Sequence, residues 1–232
     1  MSQTEALYMV HATDVHKTYQ TGSFEVHALQ GVDVRVKKGE MVAVMGPSGC
    51  GKTTLLNCLS GIDSVNKGTI LIGGSPIHEL GDNQLSDFRS KFMGFVFQTY
   101  NLLPVLNAQE NVELPLLIAG YSQRLASEKA LEKLELVNLT RWRKHRPSEL
   151  SGGQQQRVAV ARALVNEPEI VWADEPTGNL DSKNEKEIMD LILRLNKENR
   201  QTFVLVTHAD TVGAKADRII QMQDGLIRTG QN

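Results

Sequence analysis

A glycine-rich loop between a short apolar strand and a helix constrains this chain more than any other stretch. Residues 41–45 are typical of a buried strand, and Leu55 and Leu56 belong to an apolar helical pattern. The loop between them follows the spacing G-x-x-x-x-G-K-[ST] from Gly46 to Thr53. Glycines let the backbone approach an anion closely, and the N–H groups and dipole of the following helix attract negative charge. The loop therefore predicts a binding site for a nucleoside triphosphate.

The residues of this loop have distinct predicted roles. Lys52 supplies a full positive charge for the β- and γ-phosphates, and Thr53 supplies a hydroxyl for Mg²⁺. An exposed lysine on an ordinary strand–helix turn is the alternative, and the complete match in the right structural context disfavours it. The other predicted nucleotide contacts in this stretch are Gly46, Pro47, Ser48, Gly49, Cys50, Gly51 and Thr54.

Length, charge and apolar patterning exclude several classes of protein. The 232 residues suffice for one α/β domain, and with a net charge of −2 we expect no nucleic-acid partner. The sequence contains no run of about eighteen apolar residues, so we expect no transmembrane helix. The N-terminus lacks the pattern of a signal peptide. The spacing of Cys50 and Cys58 is not that of metal ligands, and we interpret them as reduced thiols of a cytosolic protein.

Apolar patterns divide the chain into strands and helices. Partial alternation over 10–19 and 26–36 predicts antiparallel strands, and 217–228 predicts a closing β-hairpin. Ser182 with Glu185 has the spacing of a capping box, which predicts a helix start. Four buried strands separated by helical segments predict a parallel sheet with crossover helices, and they begin near residues 41, 94, 170 and 202.

Polar residues follow these predicted buried strands directly. A parallel sheet binds ligands at the carboxyl ends of its strands, so residues far apart in sequence meet in one crevice. Asp174 is predicted to hold Mg²⁺, and Glu175 to act as the general base that polarises the attacking water. His208 is predicted to donate a hydrogen bond to the γ-phosphate and to hold Glu175 and the water. Gln98 is predicted to offer a carbonyl oxygen to Mg²⁺ and an amide to the water.

A second anion-binding pattern opens another predicted helix, which runs to Leu164. Ser151, Gly152, Gly153 and Gln154 combine a hydroxyl with glycines at a helix N-terminus. One chain needs only one phosphate cradle. A second cradle is explained if it covers the γ-phosphate of a nucleotide bound to another copy of the chain. The pattern therefore predicts a head-to-tail pair with two-fold symmetry.

Taken together, these motifs resemble those of the ATP-binding subunits of ABC transporters, over essentially the whole chain. The resemblance implies that Tyr19 stacks on adenine and that Asp181 belongs to the nucleotide site. Along the chain, the motifs match the Walker A loop (Gly46–Thr53), Q-loop (Gln98), signature (Leu150–Gln154), Walker B (Asp174–Glu175), D-loop (Asn179–Asp181) and switch histidine (His208).

The resemblance implies an α/β fold with a P-loop parallel-sheet core, an N-terminal antiparallel β-subdomain and an α-helical subdomain that carries the signature. Within a single domain of residues 1–232, the β-subdomain and P-loop are expected in 1–81 and the helical subdomain in 82–164. Residues 165–232 are expected to complete the catalytic core.

The activity implied by the resemblance is hydrolysis of ATP with Mg²⁺ by a homodimer that drives an integral membrane permease subunit. The chain would then lie on the cytoplasmic face of the membrane through that partner. Residues 94–106, 110–116 and 151–168 are similar to the branch of lipoprotein-release, macrolide-export and cell-division ATPases. An ATPase that regulates cell-wall enzymes or division without transport has the same motifs, so that alternative stays open.

The segment after Gln98 predicts the surface that contacts the membrane partner. Residues 101–120 are too apolar for a free loop, and Pro104 and Pro115 are expected to prevent one long buried helix. We expect exposed side chains here, Leu103 and Leu106 among them, to form a shallow groove for a short amphipathic helix.

Overall fold

The computed structural model describes residues 7–22 and 24–228, which contain both strands and helices. None of the helices in these two ranges combines the length and apolar character that crossing a membrane requires. The strands are β1 (Tyr8–Thr21), β2 (Phe24–Lys37), β3 (Met41–Met45), β4 (Lys67–Ile72), β5 (Ser75–Pro76), β6 (Met93–Phe97), β7 (Ile170–Asp174), β8 (Thr202–Thr207), β9 (Arg218–Gln223) and β10 (Leu226–Ile227). The helices are α1 (Lys52–Leu59), α2 (Asp82–Phe92), α3 (Ala108–Ile118), α4 (Gln123–Leu136), α5 (Gly152–Leu164), α6 (Ser182–Asn199) and α7 (Asp210–Gly213).

The N-terminal strands form an antiparallel sheet in the order β2-β1-β4-β5. β1 and β2 make a long hairpin whose pairing runs from Tyr8 opposite Lys37 to Thr21 opposite Phe24. The pairing is interrupted by register shifts between Ala12 and Val15, where the backbone of Asp14 has a φ of 51°. The predicted antiparallel strands in 10–19 and 26–36 are confirmed, and both are longer than predicted.

The second sheet is mostly parallel and has the order β10-β9-β3-β8-β7-β6. β3 is paired in parallel with both β8 and β9, and β7 lies between β8 and β6. Among the described strands of this sheet, only the closing β9–β10 hairpin is antiparallel. The predicted P-loop α/β fold, with an antiparallel β-subdomain beside a parallel core, is therefore confirmed.

Two apolar cores cover the two faces of the parallel sheet. On one face, Val44, Trp172 and Val204 pack with α1 and the antiparallel sheet. On the other face, Val171 and Leu205 pack with helices α3 to α6. Alternate residues of each strand enter opposite cores because side chains alternate across a sheet. Burial on both faces leaves the carboxyl ends of the strands as the open edge for ligands.

Helix α3 shows that the predicted effect of Pro115 was wrong, whereas Pro104 lies in the loop before this helix, so residues 101–120 do not form one long helix. Pro115 lies inside α3 rather than ending the helical pattern. Asn107 caps this helix by accepting from the N–H of Glu110, and the Glu110 carboxylate accepts in return from the N–H of Asn107. Burial of Val112 and Leu116 adds to this cap. Capping and apolar burial thus offset the loss of the backbone hydrogen bond that proline cannot donate.

Two smaller differences concern element boundaries. The cap of α6 is Asp181, whose carboxylate accepts from the N–H of Asn184, so the capping box predicted from Ser182 and Glu185 starts one residue too late. Both serine and aspartate are good cap formers, and the local pattern alone does not choose between neighbours. Within the predicted helical segment 82–164, β6 pairs with β7 and so belongs to the parallel sheet.

Candidate active site

The phosphate loop joins β3 to α1 through positions where only glycine fits. Gly51 has a φ of 101°, and a Cβ on this residue would overlap the carbonyl oxygen of Ala28. A Cβ on Gly46 would likewise overlap the carbonyl oxygen of Met222. These glycines are therefore required by the packing of the loop against β2 and β9. The sequence predicts these glycines for another reason, which is the close approach of a phosphate to the backbone.

Lys52, the first residue of α1, is held against this loop. Its Nζ donates to the carbonyl oxygens of Gly46 at 2.9 Å and Pro47 at 2.8 Å. Lys52 is only 7% exposed, and these bonds compensate for the burial of its charge. The ammonium group is thus fixed at the helix N-terminus, where it adds a full charge to the partial charges of the backbone N–H groups.

Thr53 and Asp174 meet across the sheet and fit a magnesium site. The Thr53 hydroxyl donates to Oδ1 of Asp174 at 3.2 Å, although the two residues are 121 positions apart. Burial raises the pKa of Asp174, and the neighbouring charge of Glu175 raises it further, whereas the Thr53 hydroxyl and Lys52 lower it. A divalent cation would offset both unfavourable effects. Hydroxyl and carboxylate oxygens are suitable ligands for Mg²⁺, which usually takes its remaining ligands from phosphates and water.

Glu175 follows Asp174 but makes different contacts. Its Oε1 lies 2.7 Å from Nδ1 of His208, and its backbone N–H donates to Val206 at 2.9 Å. Glu175 has a φ of 47°, a conformation that costs free energy for a residue with a side chain. This backbone turn separates the two adjacent carboxylates, so that one faces Thr53 and the other faces His208. The arrangement suits one metal ligand and one base.

Gln98, at the end of β6, contacts the segment that follows β7. Its Nε2 donates to Oδ1 of Asn179 at 3.2 Å, and Nδ2 of Asn179 donates to the Gln98 carbonyl oxygen at 3.0 Å. Gln98 is therefore hydrogen-bonded here to the predicted D-loop, and no hydrogen bond in the described residues joins it to Thr53 or Asp174. The predicted magnesium contact of Gln98 requires a different side-chain arrangement.

One cleft of about 660 Å³ gathers most of the predicted site residues. Tyr19 comes from β1, and the others follow the four strands β3, β6, β7 and β8, whose carboxyl ends meet as expected at one edge of the parallel sheet. The predicted residues in its wall are Tyr19, Ser48, Gly49, Cys50, Gly51, Lys52, Thr53, Thr54, Gln98, Glu175 and His208.

Several residues of the same wall escaped prediction. Val26 lies opposite Tyr19 in the β1–β2 hairpin, so cross-strand pairing was the signal that would have found it. The Asp224-Gly225 turn touches the loop because the Gly225 N–H donates to the Cys50 carbonyl oxygen at 3.1 Å. The sequence predicts this turn but not its place beside the loop. The other unpredicted wall residues are His27, Ala28 and Gln30.

The predicted second cradle, Ser151–Gln154, is formed but faces elsewhere. The Ser151 hydroxyl accepts from the Gln154 N–H at 3.3 Å, and Oε1 of Gln154 accepts from the Ser151 N–H at 2.9 Å. None of these four described residues lines the cleft of the same chain. The two glycines make close contacts within the chain, because a Cβ on Gly152 would lie 2.9 Å from the Tyr100 hydroxyl and one on Gly153 would overlap Asn184.

Asp181 holds the segment between Asn179 and α6 in place. Besides capping α6, its Oδ2 accepts from Nδ2 of Asn184 at 2.8 Å. Backbone and side-chain hydrogen bonds from Asn184 hold the pKa of Asp181 below its usual value, so it is a carboxylate at neutral pH. Asn184 in turn packs on Gly153. The D-loop and the second cradle are thus in contact within one chain.

Comparisons with known proteins agree with this geometry. A family model described as ABC transporter matches residues 29–178. The lipoprotein-releasing system ATP-binding protein LolD of Bacteroides thetaiotaomicron is 46% identical over 91% of this chain and 96% of its own. The bacitracin export ATP-binding protein BceA of Halalkalibacterium halodurans is 43% identical over 95% of this chain and 87% of its own.

A solved structure shows the same architecture. The dimeric, post-hydrolysis state of the ATP-binding cassette MJ0796 bound to ADP and Pi superposes with a TM-score of 0.89. It is 43% identical in sequence, and the match covers 97% of this chain and 98% of the other.

Proposed function

The chain belongs to the ABC transporter family, and we propose that it hydrolyses Mg-ATP at the interface of a head-to-tail dimer to drive a separate membrane subunit. The observation that carries this proposal is the single cleft in which Lys52, Glu175 and His208 meet. These residues follow three different strands, β3, β7 and β8, at the same edge of the sheet. They supply a phosphate-binding charge, a base and a donor to one ligand.

The predicted residues in and beside the cleft have distinct roles in hydrolysis. The loop amides and Lys52 bind the β- and γ-phosphates, and the face of Tyr19 supports the adenine. Thr53 and Asp174 would hold Mg²⁺, which neutralises charge that develops on the phosphates. Glu175 takes a proton from the attacking water, and its contact with His208 orients the carboxylate. Gln98 reports the state of the γ-phosphate to the neighbouring subdomain.

A second copy of the chain completes the site. Ser151–Gln154 lie outside the cleft of their own chain, although they form a helix N-terminus suited to an anion. In a two-fold head-to-tail pair, each chain's cradle covers the γ-phosphate bound by the other. The dimeric state described for MJ0796 with ADP and Pi supports this assembly. Binding of ATP would close the pair, and hydrolysis would open it.

An exposed apolar surface beside Gln98 suits the membrane subunit. Leu103 is 44% exposed, Val105 73% and Ile118 74%. Asn111 stabilises the loop before α3, because its Nδ2 donates to the carbonyl oxygens of Leu103, Leu106 and Asn107. Leu106 is half-buried, so it is a weaker candidate for contact than the sequence suggested. A short amphipathic helix would cover this surface.

A groove of about 390 Å³ adjoins this surface and links it to the signature helix. Its wall includes Phe97, Pro115, Ile118 and Arg162. Arg162, on α5, donates to the carbonyl oxygens of Tyr100 at 2.9 Å and Asn101 at 2.5 Å. Gln98 is thus two residues from the backbone that Arg162 connects to α5. This connection supports transmission from the γ-phosphate to the membrane partner.

We propose an export or lipoprotein-extrusion role, with a homodimer of this chain peripheral to the cytoplasmic face of the membrane. The names of the LolD and BceA relatives support this role. Regulation of a membrane complex without transport uses the same cleft and stays the alternative. The assignment of 1–81, 82–164 and 165–232 to three parts of one domain also stays a prediction.

Phosphate release by the purified full chain tests the proposal. We expect slow hydrolysis of ATP that requires Mg²⁺, stops on chelation with EDTA and resumes when Mg²⁺ is restored. Adding the membrane subunit in nanodiscs should change the rate. A purified, folded chain that neither binds nor hydrolyses ATP in the presence of Mg²⁺ would contradict the proposal.

A further inference from the structure

Lys17 on β1 is a buried lysine that lies outside the phosphate loop. It is 7% exposed, and its Nζ donates to Oδ1 of Asp63 at 2.6 Å and to the Ser64 carbonyl oxygen at 2.7 Å. Lys17 loses its hydration on burial, and its contact with Asp63, whose side chain stays 30% exposed, only partly offsets that loss, so the pair contributes little net stability. The contacts of this pair with a third residue suggest a different role.

Both charged groups touch Tyr19. The Tyr19 hydroxyl donates to Oδ2 of Asp63 at 2.7 Å, and Nζ of Lys17 lies 5.0 Å from the centre of the Tyr19 ring. Burial raises the pKa of Tyr19, and the bond to Asp63 raises it further against the opposing effect of the Thr54 hydroxyl, so the Tyr19 hydroxyl keeps its proton and remains a donor. The bonds from Lys17 and Tyr19 lower the pKa of Asp63 against the opposing effect of burial, so its carboxyl stays ionised.

The segment that carries Asp63 is itself fixed at both ends. At one end, the N–H groups of Ile62 and Asp63 donate to the Asn57 carbonyl oxygen in α1, at 2.9 and 3.1 Å. At the other end, Oδ1 of Asn66 accepts from the Thr18 N–H at 2.7 Å. Because α1 begins in the phosphate loop, this segment connects the loop to Tyr19 through hydrogen bonds.

We propose that the Lys17–Asp63 pair is a positioning device that fixes the Tyr19 ring for the base of the bound nucleotide. Tyr19 is 36% exposed and lines the cleft that holds the phosphate loop. A cation beside the ring and a carboxylate at its hydroxyl set the position and tilt of the surface that faces the cleft. The proposal rests on the nucleotide site described above.

If the Tyr19 ring is already fixed before the nucleotide binds, less conformational entropy of the ring is lost on binding. Immobilising one side chain weakens an association by about two- to tenfold. The effect should appear in the binding of nucleotides that carry a base and be absent from ligands that consist of phosphates alone. This difference separates positioning from a general structural role.

Two conservative variants of the full chain test the positioning role. Tyr19→Phe keeps the ring and removes the hydroxyl, and Asp63→Asn keeps the size and removes the charge. Each should raise the KM for ATP about three- to tenfold and change kcat less than twofold. The double variant should lose little more than the worse single variant, because both changes act on the hydrogen bond between Tyr19 and Asp63. Inorganic tripolyphosphate should bind equally to all of these variants and to the parent chain.

Tyr8→Phe is the matched control. Tyr8 is also on β1, with Arg35 5.9 Å from its ring centre, but it is not in the wall of the cleft. This variant should keep the KM of the parent chain. If Asp63→Asn fails to fold by circular dichroism, Tyr19→Phe and Tyr8→Phe complete the comparison.

Three results would overturn the positioning role. The first is an unchanged KM in Tyr19→Phe and the folded Asp63→Asn variant, and the second is a fall in kcat with constant KM. The third is an equal loss of affinity for ATP and tripolyphosphate. Tyr19→Ala distinguishes failure of the positioning role from failure of the proposal that Tyr19 contacts the adenine. Weaker ATP binding only in Tyr19→Ala would refute the positioning role and keep the adenine contact of Tyr19. Unchanged binding in Tyr19→Ala would refute both proposals.

Discussion

Replacement of Glu175 by glutamine should stop hydrolysis while leaving the site assembled. Oε1 of Glu175 lies 2.7 Å from Nδ1 of His208, a contact that the glutamine carbonyl oxygen preserves if that nitrogen carries the proton. The side chain is 16% exposed, and glutamine has almost the same volume. Only the ability to accept a proton from water is lost. General-base catalysis contributes about 10²–10⁴-fold, which corresponds to about 2.7–5.5 kcal/mol of activation free energy.

The assay for this variant is single-turnover phosphate release, together with size-exclusion chromatography in ATP. We expect the rate to fall about 10²–10⁴-fold and an ATP-bound dimer to accumulate, because binding persists after chemistry stops. Glu169→Gln is the matched control, since Glu169 is exposed and directly precedes β7, whereas Glu175 directly follows it. Hydrolysis by Glu175→Gln at the rate of the Glu169→Gln control would refute the role of Glu175 as the base.

Three further predictions concern the phosphate, the metal and the membrane partner. Lys52→Ala should raise the Kd for ATP at least about tenfold in a fluorescent-nucleotide titration, because a charge-assisted contact is lost, and equal binding would contradict the assigned loop. Asp174→Asn should raise the Mg²⁺ concentration for half-maximal hydrolysis about tenfold or more, and an unchanged Mg²⁺ titration would exclude Asp174 from the metal site. Val105→Glu, at the exposed surface beside Gln98, should abolish stimulation by the membrane subunit in nanodiscs and spare basal hydrolysis, whereas Leu125→Glu, an exposed residue of α4 that belongs neither to that surface nor to the groove, should behave as the parent chain. Full stimulation of Val105→Glu would place the docking surface elsewhere.

The sequence predicted the parallel core because its signals are local and redundant. Each buried strand is a short apolar run, and each is followed by a polar residue or glycine loop where the sheet presents its carboxyl edge. Glu175 and His208 could therefore be expected in one place before any distance was known. The 2.7 Å contact between them agrees with that expectation.

The predictions failed where a helix cap, burial or a contact distant in sequence outweighs a local rule. Proline normally disfavours a helix interior, but the Asn107–Glu110 cap and the burial of Leu116 keep Pro115 within α3. The contact of Lys17 with Asp63 could not be predicted either, because the two residues are 46 positions apart and Asp63 belongs to a segment without a motif. No periodicity in either stretch encodes that pairing.

The central claim is that each catalytic site is built from two chains, and mixing two inactive variants tests it most directly. Ser151→Arg disables the cradle, and Lys52→Ala disables the phosphate loop, so each homodimer should be inactive. A heterodimer of the two has one intact site, formed by the loop of the Ser151→Arg chain and the cradle of the Lys52→Ala chain. We predict that phosphate release recovers partly on mixing. Heterodimers demonstrated by differential tagging that release no phosphate would contradict the claim, as would wild-type activity of the Ser151→Arg chain alone.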